Sequence, residues 1–168
     1  MKLLTIIIPC FEKSSLVEES IEKNFEILDK YPLVIINKSG GEKFKLFRDV
    51  LFFDQNSSFW FARRFAVEFV KTKYILNLDV DTILPPKYIE KAIEVLEEHP
   101  DTLVVAIDYE EQQGHLSFGT SIWRTEQFKD LYDWHPALPL CECKWMWEKV
   151  NGKVETLPMK AKHLKVKE

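Results

Sequence analysis

The fold is indicated first by the stretch YILNLDVD, residues 74–81, in which an apolar run ends in the carboxylates of Asp79 and Asp81. The run predicts a buried strand, and Pro86 soon after it predicts the first turn of a helix. In an open α/β sheet, ligands bind beyond the carboxyl ends of the strands. Two acidic side chains at such an end predict a site for a hard divalent cation with its attached diphosphate. The alternative is a plain strand end, where Asp81 caps the turn and Asp79 is solvated.

Short apolar runs alternate with helical patterns around this stretch. Strands are predicted at residues 3–8, 33–36, 50–53, 74–78 and 103–107. Helices are predicted at residues 15–30, with a capping box of Ser15 and Glu18, at residues 59–71, and from Pro86 onward. The alternation is typical of an α/β protein with a mixed, mostly parallel central sheet flanked by helices.

The pattern changes after about residue 108. A turn is predicted at residues 108–114 and an extended segment at 116–123. A short helix is predicted at 126–131, and a second helix, closed by Asn151 and Gly152, at 143–150. A short strand at 153–157 and a segment at 158–163 follow. The 168 residues contain no internal repeat, so we expect one domain over residues 1–168.

The composition of the chain argues against several classes of function. The formal net charge of -4 argues against a nucleic-acid partner, which needs a basic surface. Three cysteines are too few for a disulfide framework and favour the cytoplasm. No apolar stretch approaches the roughly 18 residues that a membrane span needs. The basic residues of the final segment could still attract a phosphate or an anionic membrane surface; they are Lys160, Lys162, Lys165 and Lys167.

Four ordered motifs accompany the acidic pair. They are TIIIPCFE at residues 5–12, ARR at 62–64 leading to Asp79, GTSIWR at 119–124, and NGKV at 151–154 followed by Leu157-Pro158 and His163. In this order they resemble family 2 glycosyltransferases with the GT-A fold, enzymes that use nucleotide sugars and share an Asp-x-Asp (DxD) metal motif. The resemblance implies a single GT-A-like domain, with a nucleotide-sugar-binding half at residues 1–107 and an acceptor-side half at 108–168.

The resemblance also implies an activity and its site. A sugar would move from a nucleoside-diphosphate sugar to a hydroxyl group of a glycan, lipid or protein, with inversion and with Mn²⁺ or Mg²⁺ as cofactor. Asp81 would bind the metal, Asp79 would share it or bond the ribose, and His163 would close the site. The other nucleotide-binding residues implied are Pro9 and Phe11 near the base, Asn37 at the base edge, and Arg63 facing the diphosphate.

Two motifs depart from the family pattern. Where the family usually carries Asp-Asp-Gly-Ser, with an Asp that reads the base, this chain has NKSGG at residues 37–41. An amide both donates and accepts, so Asn37 could bond a base edge with a different preference, which leaves uridine open as the base.

The second departure concerns the catalytic base. The family's Glu-Asp near the end, which supplies that base, is replaced by Cys141-Glu142-Cys143, and Glu142 is the nearest candidate, with Asp130 and Asp133 as alternatives. Trp134 is the expected acceptor contact.

Three other interpretations of the sequence remain open. An apolar strand into Asp-x-Asp also describes phosphohydrolases of the haloacid dehalogenase type. A zinc module is a second reading, with Cys141, Cys143, His135 and His163 as ligands. The third is a GT-A domain that binds a nucleotide or glycan without turnover. The short acceptor side further suggests that a partner protein or a membrane-associated acceptor completes the site.

Overall fold

The computed structural model describes residues 2–111, 116–132 and 142–164. Eight strands are present in these ranges: β1 Leu4–Phe11, β2 Leu33–Ser39, β3 Val50–Asp54, β4 Tyr74–Asn77, β5 Thr82–Ile83, β6 Val104–Tyr109, β7 Ile122–Arg124 and β8 Val154–His163. The same ranges contain five α-helices: α1 Ser14–Lys30, α2 Phe59–Val67, α3 Tyr88–Glu98, α4 Thr125–Tyr132 and α5 Glu142–Val150.

The strands form a mixed sheet in the order β3-β2-β1-β4-β7-β6-β8-β5. Strands β1 to β4 are mutually parallel, β7 runs antiparallel to both of its neighbours, β8 is parallel to β6, and β5 is antiparallel to β8. The predicted α/β class with a mixed, mostly parallel sheet flanked by helices is therefore confirmed. Because β1 and β4 are adjacent and parallel, their carboxyl ends open side by side.

Both faces of the sheet are buried, which explains why its strands are continuous apolar runs. Ile6, Ile8 and Leu76 belong to a first core cluster, which also contains residues of α1 and α3. Ile7 and Ile75 belong to a second core cluster, which contains residues of α2 and α4. Successive side chains of one strand thus pack on opposite faces, as the pleat requires.

Strand β8 is longer than the sequence predicts. It runs unbroken through Pro158, whereas the sequence predicts a strand over 153–157 and a separate segment over 158–163. The pairing with β6 shifts register between Ala106 and Asp108, so the ladder is interrupted near Pro158, where the missing N–H costs no hydrogen bond. The end of β8 then pairs with β5.

Helix boundaries correct three expectations. The capping box at Ser15 is wrong, because α1 begins at Ser14 behind Lys13 without a side-chain cap. Glu18 instead pairs with Lys43 at 2.8 Å. Helix α2 ends at Val67 rather than at residue 71, and α3 begins at Tyr88, two residues later than Pro86 would place it.

The C-terminal end of α3 is tied to the sheet by two charged side chains. Arg124 Nε donates to the Thr102 carbonyl at 2.8 Å, and its Nη2 donates to the carbonyls of Leu96 and His99. Glu155 of β8 accepts from Thr102 Oγ1 and contacts His99 Nδ1. The bonds from Arg124 satisfy carbonyl groups that the end of a helix leaves without partners.

None of the helices in the described ranges has the length and apolar character needed to span a lipid bilayer.

Candidate active site

A cleft of about 230 Å³ opens beyond the carboxyl ends of β1 and β4. Its lining residues are Glu12, Phe59, Arg63, Asp79, Val80 and Asp81. The cleft therefore lies where ligands bind in open α/β sheets, and it contains both carboxylates that the sequence singles out.

The Asp79 carboxylate lies between the Arg63 guanidinium and Gly119. Arg63 of α2, whose side chain is 4% exposed, donates from Nη2 to Asp79 Oδ1. On the other side, a Cβ added at Gly119 would lie 2.0 Å from Asp79 Oδ2. The backbone N–H of Asp79 also donates to the Gly119 carbonyl at 3.1 Å. These contacts fix the direction in which the Asp79 carboxylate faces.

Asp81 meets His163 from the last strand. The two side chains approach to 2.8 Å between Asp81 Oδ2 and His163 Nε2. The pairing of Thr82 with His163 brings them together, and Leu164 N donates to the Asp81 carbonyl at 2.6 Å. Tyr109 packs edge-on against the His163 ring and shares a hydrogen bond of 2.6 Å with Thr82 Oγ1. The structure thus brings His163 into contact with Asp81, and Asp79 lines the same cleft as Asp81.

The cleft carries an excess of negative charge. Burial raises the pKa of Asp81, the charge of Asp79 raises it further, and Glu12 adds to the effect, while His163 partly offsets it. Burial and the charge of Asp79 also raise the pKa of Tyr109 well above its ordinary range. A bound cation would relieve this repulsion between carboxylates.

The donor atoms fit a divalent cation that arrives with a nucleotide. In the described part of the chain, no group of three or more His, Cys, Asp or Glu side chains is arranged to hold a metal ion. Asp81 and His163 do present an oxygen and a nitrogen side by side. A cation on these two residues would take its remaining ligands from diphosphate oxygens and water, as Mg²⁺ commonly does.

The other end of the cleft is aromatic. The rings of Phe11 and Phe59 lie 4.5 Å apart between centroids, and Phe59 is 42% exposed. Lys38 Nζ lies over the Phe11 ring, 5.5 Å from its centroid. Pro9 precedes this group in β1, where it pairs with Ile36 of β2. Aromatic faces of this kind suit a planar base.

Asn37 is buried and its amide is bonded inside the protein. Its Nδ2 donates to Asp54 Oδ1 at 2.7 Å, and its Oδ1 accepts from Gly41 N at 3.0 Å. The amide therefore holds the turn between β2 and the following segment. Cys10 lies beside it, and burial raises the pKa of that thiol to about 12, so it is an unreactive structural group.

The acceptor side is described only in part. Glu142 is the first residue of α5, but its side chain lies outside the described residues, as do Asp133, Trp134, His135 and Cys141. Cys143 packs against the second core cluster, and Asp130 lies in α4. The general base and the acceptor contact therefore stay predictions.

Four residues of the site have no role assigned from the sequence: Glu12, Lys38, Phe59 and Gly119. Each lies within or next to a motif noted above, but its role depends on a contact with a distant segment. The local sequence contains no signal for these roles.

Solved structures with this architecture come from several proteins. S. aureus TarS in complex with UDP-GlcNAc matches with a TM-score of 0.72 and 15% identity, over 100% of this chain and 60% of that chain. The mannosyltransferase PcManGT from Pyrobaculum calidifontis, in complex with GDP-Man and Mn²⁺, matches with a TM-score of 0.75 and 13% identity, over 96% of this chain and 56% of that one.

A third structure is 4-diphosphocytidyl-2C-methyl-D-erythritol synthase from Anaerococcus prevotii, with a TM-score of 0.67 and 9% identity, over 93% and 88% of the two chains. Identities this low show the shared fold alone. The chain spans about 60% of the length of the TarS structure.

No curated protein sequence matches this chain. The family model for glycosyl transferase family 2 matches residues 5–150, which include β1, the Arg63–Asp79 pair and Asp81. That match covers most of the chain and confirms the resemblance drawn from the motifs: the chain belongs to glycosyl transferase family 2.

Proposed function

We propose that this chain transfers a glycosyl group from a nucleoside-diphosphate sugar to a hydroxyl acceptor. The observation that carries the proposal is a cleft lined by Phe59, which packs on the Phe11 ring, and by Asp81, which contacts His163. A nucleotide sugar has matching parts, a planar base and an anionic diphosphate. The complexes of TarS with UDP-GlcNAc and of PcManGT with GDP-Man support this donor class, as does the family.

The donor is bound by residues of the first half, 1–107, and of β8. Pro9 and Phe11 pack against the base, and Asn37 holds the turn beside it. Asp79 accepts a hydrogen bond from a ribose hydroxyl, and Arg63 fixes the orientation of that carboxylate.

Asp81 and His163 would hold Mn²⁺ or Mg²⁺ with the diphosphate, and Asp79 lies close enough in sequence to share the ion. The bound cation supplies positive charge next to the diphosphate, on which negative charge grows as the sugar leaves. The complex of PcManGT with Mn²⁺ supports this assignment. The carboxylates alone would repel the leaving group, which is why we expect activity to depend on a divalent cation.

The acceptor is bound by the second half, 108–168, in which Trp134 is our candidate contact. The attacking hydroxyl must lose its proton, and we assign that role to Glu142 at the start of α5, with Asp130 and Asp133 as alternatives. A single displacement of this kind inverts the anomeric carbon. Three cysteines are too few for a disulfide framework and fit a reducing compartment, so we place the reaction in the cytoplasm, on a glycan, lipid or protein acceptor.

A second candidate is a domain of the same fold that binds nucleotide without transfer. The observation in its favour is that two family motifs are changed, to NKSGG at residues 37–41 and to Cys141-Glu142-Cys143. Family membership counts against the phosphohydrolase and zinc-module alternatives. The two remaining candidates differ in turnover, not in donor binding.

Thermal unfolding tests the donor site. We would measure the melting temperature with UDP, GDP, CDP and ADP, each with and without Mn²⁺. A nucleotide at a hundred times its Kd adds about 2.7 kcal/mol, or roughly 5–10 °C for a domain of this size. We expect a Mn²⁺-dependent shift that Asp81→Asn abolishes and that the control Asp29→Asn, on the exposed face of α1, retains.

Two outcomes count against parts of the proposal. If no nucleotide shifts the melting temperature, the donor site is rejected. If a nucleotide binds but its sugars are neither transferred nor hydrolysed with any acceptor class, the domain binds without turnover, and the second candidate replaces the first.

A further inference from the structure

Strand β3 is the outermost strand at one edge of the sheet. The Asp49 carbonyl accepts a hydrogen bond from β2, and Gln55 N donates to β2. Because backbone groups alternate between the two sides of a strand, the N–H and C=O groups of Val50 and Phe52 point away from the sheet. In the described part of the chain, no strand pairs with β3 on that side. Strand β3 therefore presents an open ladder to which another strand can bind.

This edge strand has few of the features that prevent edge strands from pairing. Edge strands are commonly protected by a proline, a lysine or a β-bulge. The β3 sequence VLFFD contains neither proline nor lysine, and its pairing with β2 keeps one register from Val50 to Asp54. Leu51, at the centre of this segment, is 46% exposed. The open edge thus combines unpaired backbone groups with an exposed apolar side chain.

The apolar surface continues from β3 onto the segment around α2. Phe53 lies on the same face of the sheet as Leu51, because the two are two positions apart in one strand. The Phe53 ring centroid lies 5.1 Å from that of Phe65 and 4.6 Å from that of Phe69, which is 37% exposed. We call Leu51, Phe53, Phe65 and Phe69 the edge strip, since they border the open ladder on one face.

The sequence around Leu51 is complementary to itself in charge. When two copies of this segment are placed antiparallel and centred on Leu51, Val50 lies opposite Phe52 of the second copy, so their outward backbone groups can bond each other. In the same register, Arg48 lies opposite Asp54 of the second copy, and both side chains are exposed. Opposite charges across two strands stabilise their pairing. Sliding one copy by two residues would separate both charge pairs.

We propose that β3 pairs with β3 of a second copy of this chain, antiparallel about a twofold axis through Leu51, to form a homodimer with one continuous sheet. An axis perpendicular to the sheet keeps the same face on both sides, so the two edge strips meet. Among the described residues, those that line the cleft belong to other segments. The two strands run in opposite directions, so the two clefts open at opposite ends of the joined sheet. The proposal does not depend on the proposed function.

Sedimentation velocity at increasing concentration tests the dimer. We expect a species of twice the chain mass of 19.9 kDa, with a Kd on the order of 10 μM, because one short edge makes a small interface. Leu51→Lys places two ammonium groups against each other at the axis and should raise this Kd about 100-fold. Leu3→Lys is the matched control, since Leu3 is 44% exposed and lies outside β3, and it should leave the Kd unchanged.

Two further variants test the register. Leu51→Cys places two thiols opposite each other at the axis, at a separation that a disulfide can span, so mild oxidation should link the two copies. Leu3→Cys carries the same native cysteines and should not form this link. Arg48→Glu places a carboxylate opposite each Asp54 and should raise the Kd about tenfold. Lys91→Glu, at an exposed position of α3, changes the net charge equally and should have no effect.

Three results would overturn the proposal. A chain that stays monomeric at every concentration rejects it, and so does a dimer that Leu51→Lys leaves intact. A dimer that Leu51→Lys weakens but Leu51→Cys does not cross-link rejects the antiparallel pairing about Leu51. Circular dichroism checks that each variant folds, and if Leu51→Lys did not, Leu51→Cys and Arg48→Glu would decide. Nucleotide binding should be unchanged in Leu51→Lys, so failure of the dimer leaves the donor site standing.

Discussion

At the scale of single residues, the site depends on the absence of a side chain at Gly119. A carboxylate oxygen of Asp79 occupies the position that a Cβ would take, since the two would be only 2.0 Å apart. Side-chain atoms never approach this closely, so either the carboxylate or the backbone near Gly119 would have to move. Asp79 could turn away only by giving up its contact with Arg63.

We therefore predict that Gly119→Ala lowers the transfer rate about 100-fold, because a misplacement of about 1 Å in a binding group has an effect of that order. Nucleotide affinity, measured by calorimetry, should fall with it. Gly152→Ala is the control, since a Cβ there meets nothing within 4 Å but its φ of +79° strains any side chain. That variant should lose about 1 kcal/mol of stability and no affinity.

Equal nucleotide affinity in Gly119→Ala and the unsubstituted protein would contradict this account of Asp79.

The acidic pair could be found from the sequence because it is local, a strand followed by two carboxylates. Gly119 lies 40 positions beyond Asp79, and its role follows only from the pairing that brings the two segments together. The hydrogen bonds of Asn37 with Asp54 and Gly41 could not be predicted either, because they too depend on the folded arrangement of the chain. Residue types predicted the chemistry here, while the contacts depend on the assembled sheet.

At the scale of elements, the attachment of α3 to β8 is sensitive to pH. The hydrogen bond from Thr102, followed by the contact with His99, holds the pKa of Glu155 below its ordinary value. A carboxyl group with a lowered pKa stabilises the fold above its unfolded pKa, near 4.3, and this stabilisation is lost as the pH falls through the folded pKa.

We predict that Glu155→Gln lowers the free energy of unfolding at pH 7 and that the difference from the unsubstituted protein shrinks below about pH 5. Urea denaturation at pH 7, 5, 4 and 3 measures it. Glu148→Gln, at an exposed position of α5, should leave the profile unchanged. If the free energies of unfolding of Glu155→Gln and the unsubstituted protein differ by the same amount at every pH down to 3, the contacts of Glu155 with Thr102 and His99 do not stabilise the fold.

The longer elements could be predicted because each carries many residues of one periodicity. The buried strands and the helix from residue 59 are of this kind, with errors confined to their ends. The two-residue β5 shows no periodicity, and β8 reads as two segments because Pro158 interrupts the pattern without interrupting the strand. Short or interrupted elements owe their conformation to the neighbours that they pair with, and a local pattern does not contain those neighbours.

At the scale of the whole molecule, the contact of Asp81 with His163 joins the cleft to the last strand of the chain. Asp79 and Asp81 follow β4, Arg63 belongs to α2, and His163 ends β8. A ligand that contacts both Asp81 and His163 should therefore make segments from the two halves more rigid together.

We predict that the preferred nucleotide with Mn²⁺ slows amide hydrogen exchange in residues 79–83 and 159–164 at once, as measured by mass spectrometry. Residues 42–48, which lie outside the cleft lining, serve as the internal control and should not change. Protection confined to residues 79–83 would contradict the role of His163, and Asp81→Asn should remove the protection of both segments.

The α/β class could be predicted from the alternation of apolar runs and helical patterns, because alternation follows from the local sequence. The strand order could not, since nothing in the pattern indicates that β7 enters between β4 and β6 in the opposite direction. That insertion places Gly119 against Asp79, so neither the strand order nor the role of Gly119 could be predicted, because both depend on how distant segments pair.

The position of β8 has a consequence for the order in which the protein matures during synthesis. A ribosome makes the four parallel strands and both acidic residues well before it makes His163, which lies 82 positions after Asp81. A nascent chain can therefore complete most of its sheet before His163 is available to contact Asp81. We therefore expect the contact between Asp81 and His163 to form last, when the segment that ends in His163 and Leu164 emerges and pairs with β5.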